Sequence, residues 1–191
     1  MTAPRVVALL NAFSKTASIV VVATGILVLT GWVTGTEAFK SVIPGYPSMK
    51  FNTALGFVLG GLSLWLLLAI RGNRTAEVLA GIFAFLLLVL GSVTLLQYVL
   101  GHNLGIDNLI FTDQKVDISV GYPGRMAPLS AFNFIILAIG LLIVVIKPGA
   151  EPYAGVFAMV TGFTSLLSVL GYAYGVEVLY KFYAYSSVAL H

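Results

Sequence analysis

The sequence predicts an all-α protein, a polytopic transmembrane bundle of repeated helical hairpins with five full spans and a partial sixth. The first observation is composition: 59% of the 191 residues are apolar and only 9% are charged, whereas soluble domains carry about 25% charged residues. The second observation is that five apolar stretches each have close to the roughly 20 residues that a helix needs to cross a hydrocarbon core of about 30 Å. Together they exclude a soluble domain, a disordered chain and a nucleic-acid-binding protein, and make the lipid bilayer the main partner.

The five predicted spans cover residues 16–33, 52–70, 76–100, 128–146 and 153–174. Pro128 and Pro152 suit the first turn of a helix, where a missing N–H costs nothing. The first stretch is longer than a signal-peptide core and no cleavage site follows it, so we expect a retained span. Residues 176–191 place four aromatic residues around Glu177 and Lys181, a pattern typical of an amphipathic segment at the membrane interface.

The connections between the spans indicate the orientation. The N-terminus and the links at 71–77 and 147–151 carry five basic and two acidic residues, against five of each on the other side. Equal basic counts leave the Lys/Arg rule silent, but Arg71 and Arg74 stand in a very short link, whereas Lys115 and Arg125 are spread over a long loop. We therefore expect a cytoplasmic N-terminus.

The second and fourth spans begin with the same pattern. With one gap after GYPS, GYPSMKFNTALGF aligns with GYPGRMAPLSAFNF, which places Met49 on Met126 and Phe57 on Phe134. The preceding helix ends, GWVTG, QYVLG and GYAYG, also match in kind, and the third copy continues to VALH at 188–191, equivalent to 49–52. Apolar spans can resemble each other by chance, but the shared GYP and methionine favour a true repeat. We expect superposable hairpins, a sixth helix that has only begun, and a chain that is a fragment of a longer protein.

GHNLGIDNLIFTD, followed by GYPGRMAPLSAFNFIILAIGLL, resembles the N-terminal membrane-integral sensor region of bacterial histidine kinases and diguanylate cyclases, which often carry PAS domains. The resemblance covers nearly the whole chain and implies a sensory input module in the bacterial inner membrane. The chain itself has no kinase motif, no GGDEF sequence and no coiled coil. The alternative function is an accessory subunit of a larger respiratory or photosynthetic complex.

Residues able to carry chemistry are few. His102 and His191 are the two histidines. We expect both to be residues at the membrane interface, with no cofactor bound. The alternative is that they ligate a haem or a chlorophyll. Asp107, Asp113 and Asp117 match no calcium-loop spacing and are predicted to be solvated loop charges. The sequence contains neither a Ser/His/Asp arrangement nor a phosphate loop, so we do not expect an enzyme.

Uncharged polar residues gather towards one side of the membrane. Asn52, Gln97, His102 and Asn133 are the predicted ligand-binding residues, in a shallow outward-facing pocket. The alternative is hydrogen bonding between helices, worth about 0.6–2 kcal/mol per contact. No charged residue lies in the middle of a span, which argues against a proton-coupled pump or an ion channel. A homo-oligomer or a larger membrane complex is the expected assembly.

Overall fold

The computed structural model describes residues 3–41, 48–70, 72–112, 122–176 and 178, and the regular structure in these ranges is helical throughout. Five of the helices are long and apolar enough to span a membrane, so the chain is a multi-pass membrane protein. The elements are α1 (Ala3–Thr34), α2 (Glu37–Lys40), α3 (Phe51–Ala69), α4 (Arg74–Leu100), a 3₁₀ turn (Ile106–Asn108), α5 (Pro128–Ile146) and α6 (Glu151–Tyr174).

The observed bounds of four long helices lie within two residues of the predicted spans, whereas α1 extends beyond the predicted first span at its N-terminal end. α1 begins at Ala3 rather than at residue 16, and its 32 residues extend about 48 Å. The added segment, APRVVALLNAFSK, is rich in good helix formers, so the helix continues through it. Its polar residues kept it out of the apolar stretch from which the span was predicted. Of the predicted interfacial segment, only residues 176 and 178 are among those described.

Local sequence accounts for the ends of the helices. The side chain of Asn73 caps α4 by accepting hydrogen bonds from the backbone N–H groups of Thr75 and Ala76, at 3.0 and 3.2 Å. Gly101 and Gly175 follow α4 and α6 with φ of 65° and 67°, a left-handed conformation that glycine adopts without strain. These ends fix where each connection leaves the bundle.

The long helices form two complete hairpins and one further helix. α1 packs along α3 and α4 packs along α5; α3 also packs against α4 and α5, and α6 packs against α5. We call the end that carries α2 and the 3₁₀ turn the loop end, and the end with the short links after α3 and α5 the link end. One apolar core lies in each hairpin, around Val28 and Ala54 in the first and around Leu87 and Ala131 in the second.

The hairpins are equivalent in detail. Met49 and Met126 are buried two residues before the starts of α3 and α5, as the alignment predicts. A methyl group placed on Gly25 of α1 would lie 2.8 Å from the carbonyl oxygen of Ala54. The same group on Gly91 of α4 would lie 2.8 Å from the carbonyl oxygen of Ala131, the residue aligned with Ala54. The predicted equivalence is therefore confirmed at these positions, whereas residues 45–47 and 121 of the GYP motifs lie outside the described ranges.

Candidate functional site

The loop end is closed by a buried ion pair. The Arg125 side chain is fully buried and that of Asp107 is 1% exposed, and Arg125 Nε donates to Asp107 Oδ2 at 2.8 Å. Asp107 lies in the 3₁₀ turn, whereas Arg125 precedes α5. We refer to Gln97, Asp107 and Arg125, with the backbone of residues 102–106, as the cap.

Gln97 joins the cap to α4. Its Nε2 donates to both carboxylate oxygens of Asp107, at 3.2 and 3.4 Å. Its Oε1 accepts from the backbone N–H of Leu104 at 2.8 Å and from Arg125 Nη2 at 3.4 Å. The amide is therefore satisfied on both sides without a ligand, as a buried polar group must be.

Two tyrosines enclose the Arg125 guanidinium. Its central carbon lies 3.9 Å from the ring centre of Tyr122 and 5.2 Å from that of Tyr98, both within cation–π range. Tyr122 Oη in turn donates to the backbone carbonyl of Gly101 at 2.6 Å. Arg125 Nη2 also reaches the backbone carbonyl of His102 at 3.3 Å, and Nη1 has no hydrogen-bond partner within the described ranges.

The predicted solvent exposure of Asp107 is wrong, and Arg125 of the same long loop is buried with it. Each charge is buried because the other neutralises it and because Gln97 and backbone groups satisfy the remaining polar atoms. The signal in the sequence was Gln97, since an amide inside an apolar helix requires a partner. Asp113 and Asp117 lie outside the described residues.

Each complete hairpin is also closed by an aromatic residue. Trp32 Nε1 donates to the carbonyl of Met49 at 3.1 Å, and Tyr98 Oη donates to the carbonyl of Met126 at 2.9 Å. We call these two contacts the aromatic clasps. A cation lies over each of the two rings. Lys40 Nζ is 4.6 Å from the ring centre of Trp32, and the Arg125 guanidinium lies over the ring of Tyr98. Lys40, whose side chain is largely buried, also pairs at 2.6 Å with Glu37, whose side chain is half exposed.

Three of the four predicted site residues lie at the cap. Asn52 Nδ2 donates to the carbonyl of Ile106 at 3.0 Å, which ties α3 of the first hairpin to the loop of the second. Gln97 forms part of the cap itself, and His102 contributes its backbone carbonyl while its residue surface is exposed. Asn133 is elsewhere, on the side of α5 that faces α6.

Asn133 joins α5 to α6. Its Oδ1 accepts from Thr164 Oγ1 at 2.7 Å, and its Nδ2 donates to Ser165 Oγ at 3.4 Å. Asn133 is half-buried and lines a groove. Of the four predicted residues it is the one that lines the groove, whereas Gln97 is fully paired.

The groove runs along the bundle and has a volume of about 820 Å³. Its floor is α3 and α5, and its two walls are α1 and α6. Towards the loop end it is lined by small and polar residues: Thr53, Gly56, Ser130, Asn133, Thr161 and Ser165. Towards the link end the lining includes apolar side chains, Leu64, Leu67, Leu141 and Val144. It also includes polar ones from α1 and from the starts of α4 and α6: Asn11, Ser14, Glu77 and Glu151. Sequence reasoning identified the polar half of this surface in Asn133 but assigned it to the same site as Gln97.

Within the described ranges, no three His, Asp or Glu side chains come close enough together to hold a metal ion. His191, the second histidine considered for haem or chlorophyll, is outside those ranges. Comparison with protein-family models, with curated proteins and with solved structures gave no match.

Proposed function

We propose that this chain is the membrane-embedded input module of a bacterial signalling protein, placed in the inner membrane with its link end in the cytoplasm. The resemblance of GHNLGIDNLIFTD and the following phrase to bacterial sensor regions supports this role. So does the absence of Asp, Glu, Lys and Arg from 16–33, 51–69, 78–100, 128–146 and 152–174, because ion pathways through membranes use such residues.

The position of α6 at the side of the groove is the observation that carries the proposal. The first two hairpins are tied together at the loop end by the bond from Asn52 to Ile106 and by the buried cap. α6 is joined to α5 by the hydrogen bonds of Asn133, and its other side borders the groove. A signalling unit needs one element that shifts against a fixed part, and we assign that role to α6, whether its groove side contacts a further helix or not.

The energies suit such a shift. A hydrogen bond between helices in a membrane contributes about 0.6 kcal/mol on average, so a modest stimulus is enough to change the populations of two α6 positions. Packed helices slide by about 1–2 Å in known switches. α6 begins at the cytoplasmic link at 147–150 and ends at the loop end, so a cytoplasmic output domain would follow a further span that packs beside α6.

The test uses the full-length gene product in its native membrane and measures kinase or cyclase output. Asn133→Leu removes both polar contacts to α6 and is expected to change the basal output several-fold. The matched control is Phe132→Leu, because Phe132 is the adjacent residue of α5 and is exposed on the bundle surface. We expect the control to leave the output unchanged.

Two results would contradict this role. One is equal output from Asn133→Leu and the parent protein. The other is a gene product that lacks any output domain and purifies in a fixed ratio with a respiratory or photosynthetic complex, which would establish the accessory-subunit alternative.

A further inference from the structure

The contact between the first and second hairpins is repeated between the second hairpin and α6. Ser63 of α3 donates through Oγ to the carbonyl of Ala80 on α4 at 2.9 Å. The alignment that places Met49 on Met126 also places Ser63 on Gly140 of α5. The alignment that places Tyr98 on Tyr172 also places Ala80 on Ala154 of α6. A methyl group placed on Gly140 would lie 3.5 Å from the Ala154 carbonyl oxygen. α6 therefore lies on α5 as α4 lies on α3.

The same rotation therefore relates the first hairpin to the second hairpin and the second hairpin to the unit that α6 begins. If the two hairpins were related by a twofold axis, α1 would pack on α5 as α4 packs on α3. In the part of the chain that the structure describes, α1 has its substantial packing with α3 and α2 alone. Head-to-tail relationships of this kind either close into a ring or continue as an open array.

The inner helices show where the axis lies. Phe57 of α3 and Phe134 of α5 are aligned residues, and their rings meet edge to face with centres 6.1 Å apart. Both line the groove. α3 and α5 are thus the inner helices of their units, α1, α4 and α6 are the outer ones, and the groove lies beside the axis.

Both walls of the groove carry the residues that a third unit would contact. Gly25 and Gly91 make the close contacts to Ala54 and Ala131 inside the first two hairpins, and the aligned residue of α6 is Ser165. Ala80 and Ala154 make the contacts between units, and the aligned residue of α1 is Ser14. Ser165 and Ser14 both line the groove, on opposite walls. One inner helix placed there would repeat both contacts and close the ring.

We propose that the groove is the seat of a sixth membrane-spanning helix of the same polypeptide, the second helix of a third hairpin, which completes a bundle with approximate threefold symmetry. Residues 188–191 align with 49–52 and so mark where this helix begins. The surface of α6 agrees. Its groove side has small or polar residues at Ala154, Ala158 and Ser165, which suit close helix contact, together with the larger Phe157, Val169 and Tyr172. Met159 and Phe163 lie on its exposed side.

The experiment is disulfide scanning in the full-length gene product. One cysteine is fixed by Ser165→Cys on α6, and a second is moved along the residues that follow His191. We expect helical periodicity in the cross-linking yield, with its maximum near the second residue after His191, which aligns with Ala54 and Ala131. With the fixed cysteine at Phe163→Cys instead, on the exposed side of α6, no position is expected to cross-link.

Other occupants of the groove give different results. A reading frame that ends at codon 191, or scanning without any cross-link, overturns the proposal. Dimers formed by Ser165→Cys alone would identify a second copy in the groove, and also overturn it. The scan reads helix positions and not output, so its failure is separate from failure of the signalling role.

Discussion

Arg125 and Asp107 form an ion pair inside the loop end, with 2.8 Å between Nε and Oδ2 and side chains that are almost inaccessible to water. Glu37 and Lys40 form an ion pair in the first hairpin, where the lysine side chain is 11% exposed and the glutamate side chain 52% exposed. The two pairs compare a fully buried charge interaction with a half-exposed one in the same molecule.

We expect Asp107→Asn to lower the free energy of unfolding by about 3 kcal/mol, because it leaves the buried guanidinium without its counter-ion. Glu37→Gln is expected to cost less, about 1 kcal/mol, because the Glu37 carboxylate is half exposed and water screens its charge. Unfolding with sodium dodecyl sulfate in mixed micelles measures both. If the two variants lose the same free energy of unfolding, burial does not increase the cost of breaking the ion pair of the cap.

The aromatic clasps predict a second effect. Tyr98→Phe keeps the ring and removes the hydroxyl that bonds to the Met126 carbonyl, so we expect a loss of about 1 kcal/mol in stability. Tyr153→Phe is the control, because Tyr153 is on the exposed surface near the link end. The same unfolding assay applies, and an unchanged midpoint for Tyr98→Phe would exclude a stabilising clasp.

Close contact between α4 and α5 predicts a third effect. Gly91→Ala would place a methyl group 2.8 Å from the Ala131 carbonyl oxygen, so the helices must separate, at a cost of about 1–3 kcal/mol. Gly162→Ala meets no atom within 4 Å and is expected to be neutral or stabilising by up to about 1 kcal/mol through helix propensity. A neutral Gly91→Ala would contradict the packing described here.

The orientation is tested by thiol labelling in intact cells. Leu109→Cys lies exposed at the loop end and Lys147→Cys lies exposed at the link end. If the link end faces the cytoplasm, a membrane-impermeant maleimide labels the first variant in intact cells and the second only after lysis. The reverse pattern would invert the topology.

Sequence reasoning succeeded where the information is local. The bounds of α5 follow from the apolar run after Pro128, and the equivalence of Met49 and Met126 follows from a shared phrase. The pairing of Asp107 with Arg125 was missed because it depends on which loop residues fold back over the end of α4, and no periodicity encodes that choice. Likewise, Asn133 was grouped with Gln97 because both are amides near one membrane face, although they lie on different sides of the bundle.

The two clasps also bear on how the chain is inserted during synthesis. Trp32 and Met49 are 17 residues apart, and Tyr98 and Met126 are 28 apart, so each contact joins the two arms of a single hairpin. Short sequence separation makes such contacts fast to form. The first hairpin therefore has all the partners of its own clasp before the second leaves the ribosome. Insertion by successive closed hairpins limits the time for which half-paired helices and the polar residues of the cap are exposed to lipid.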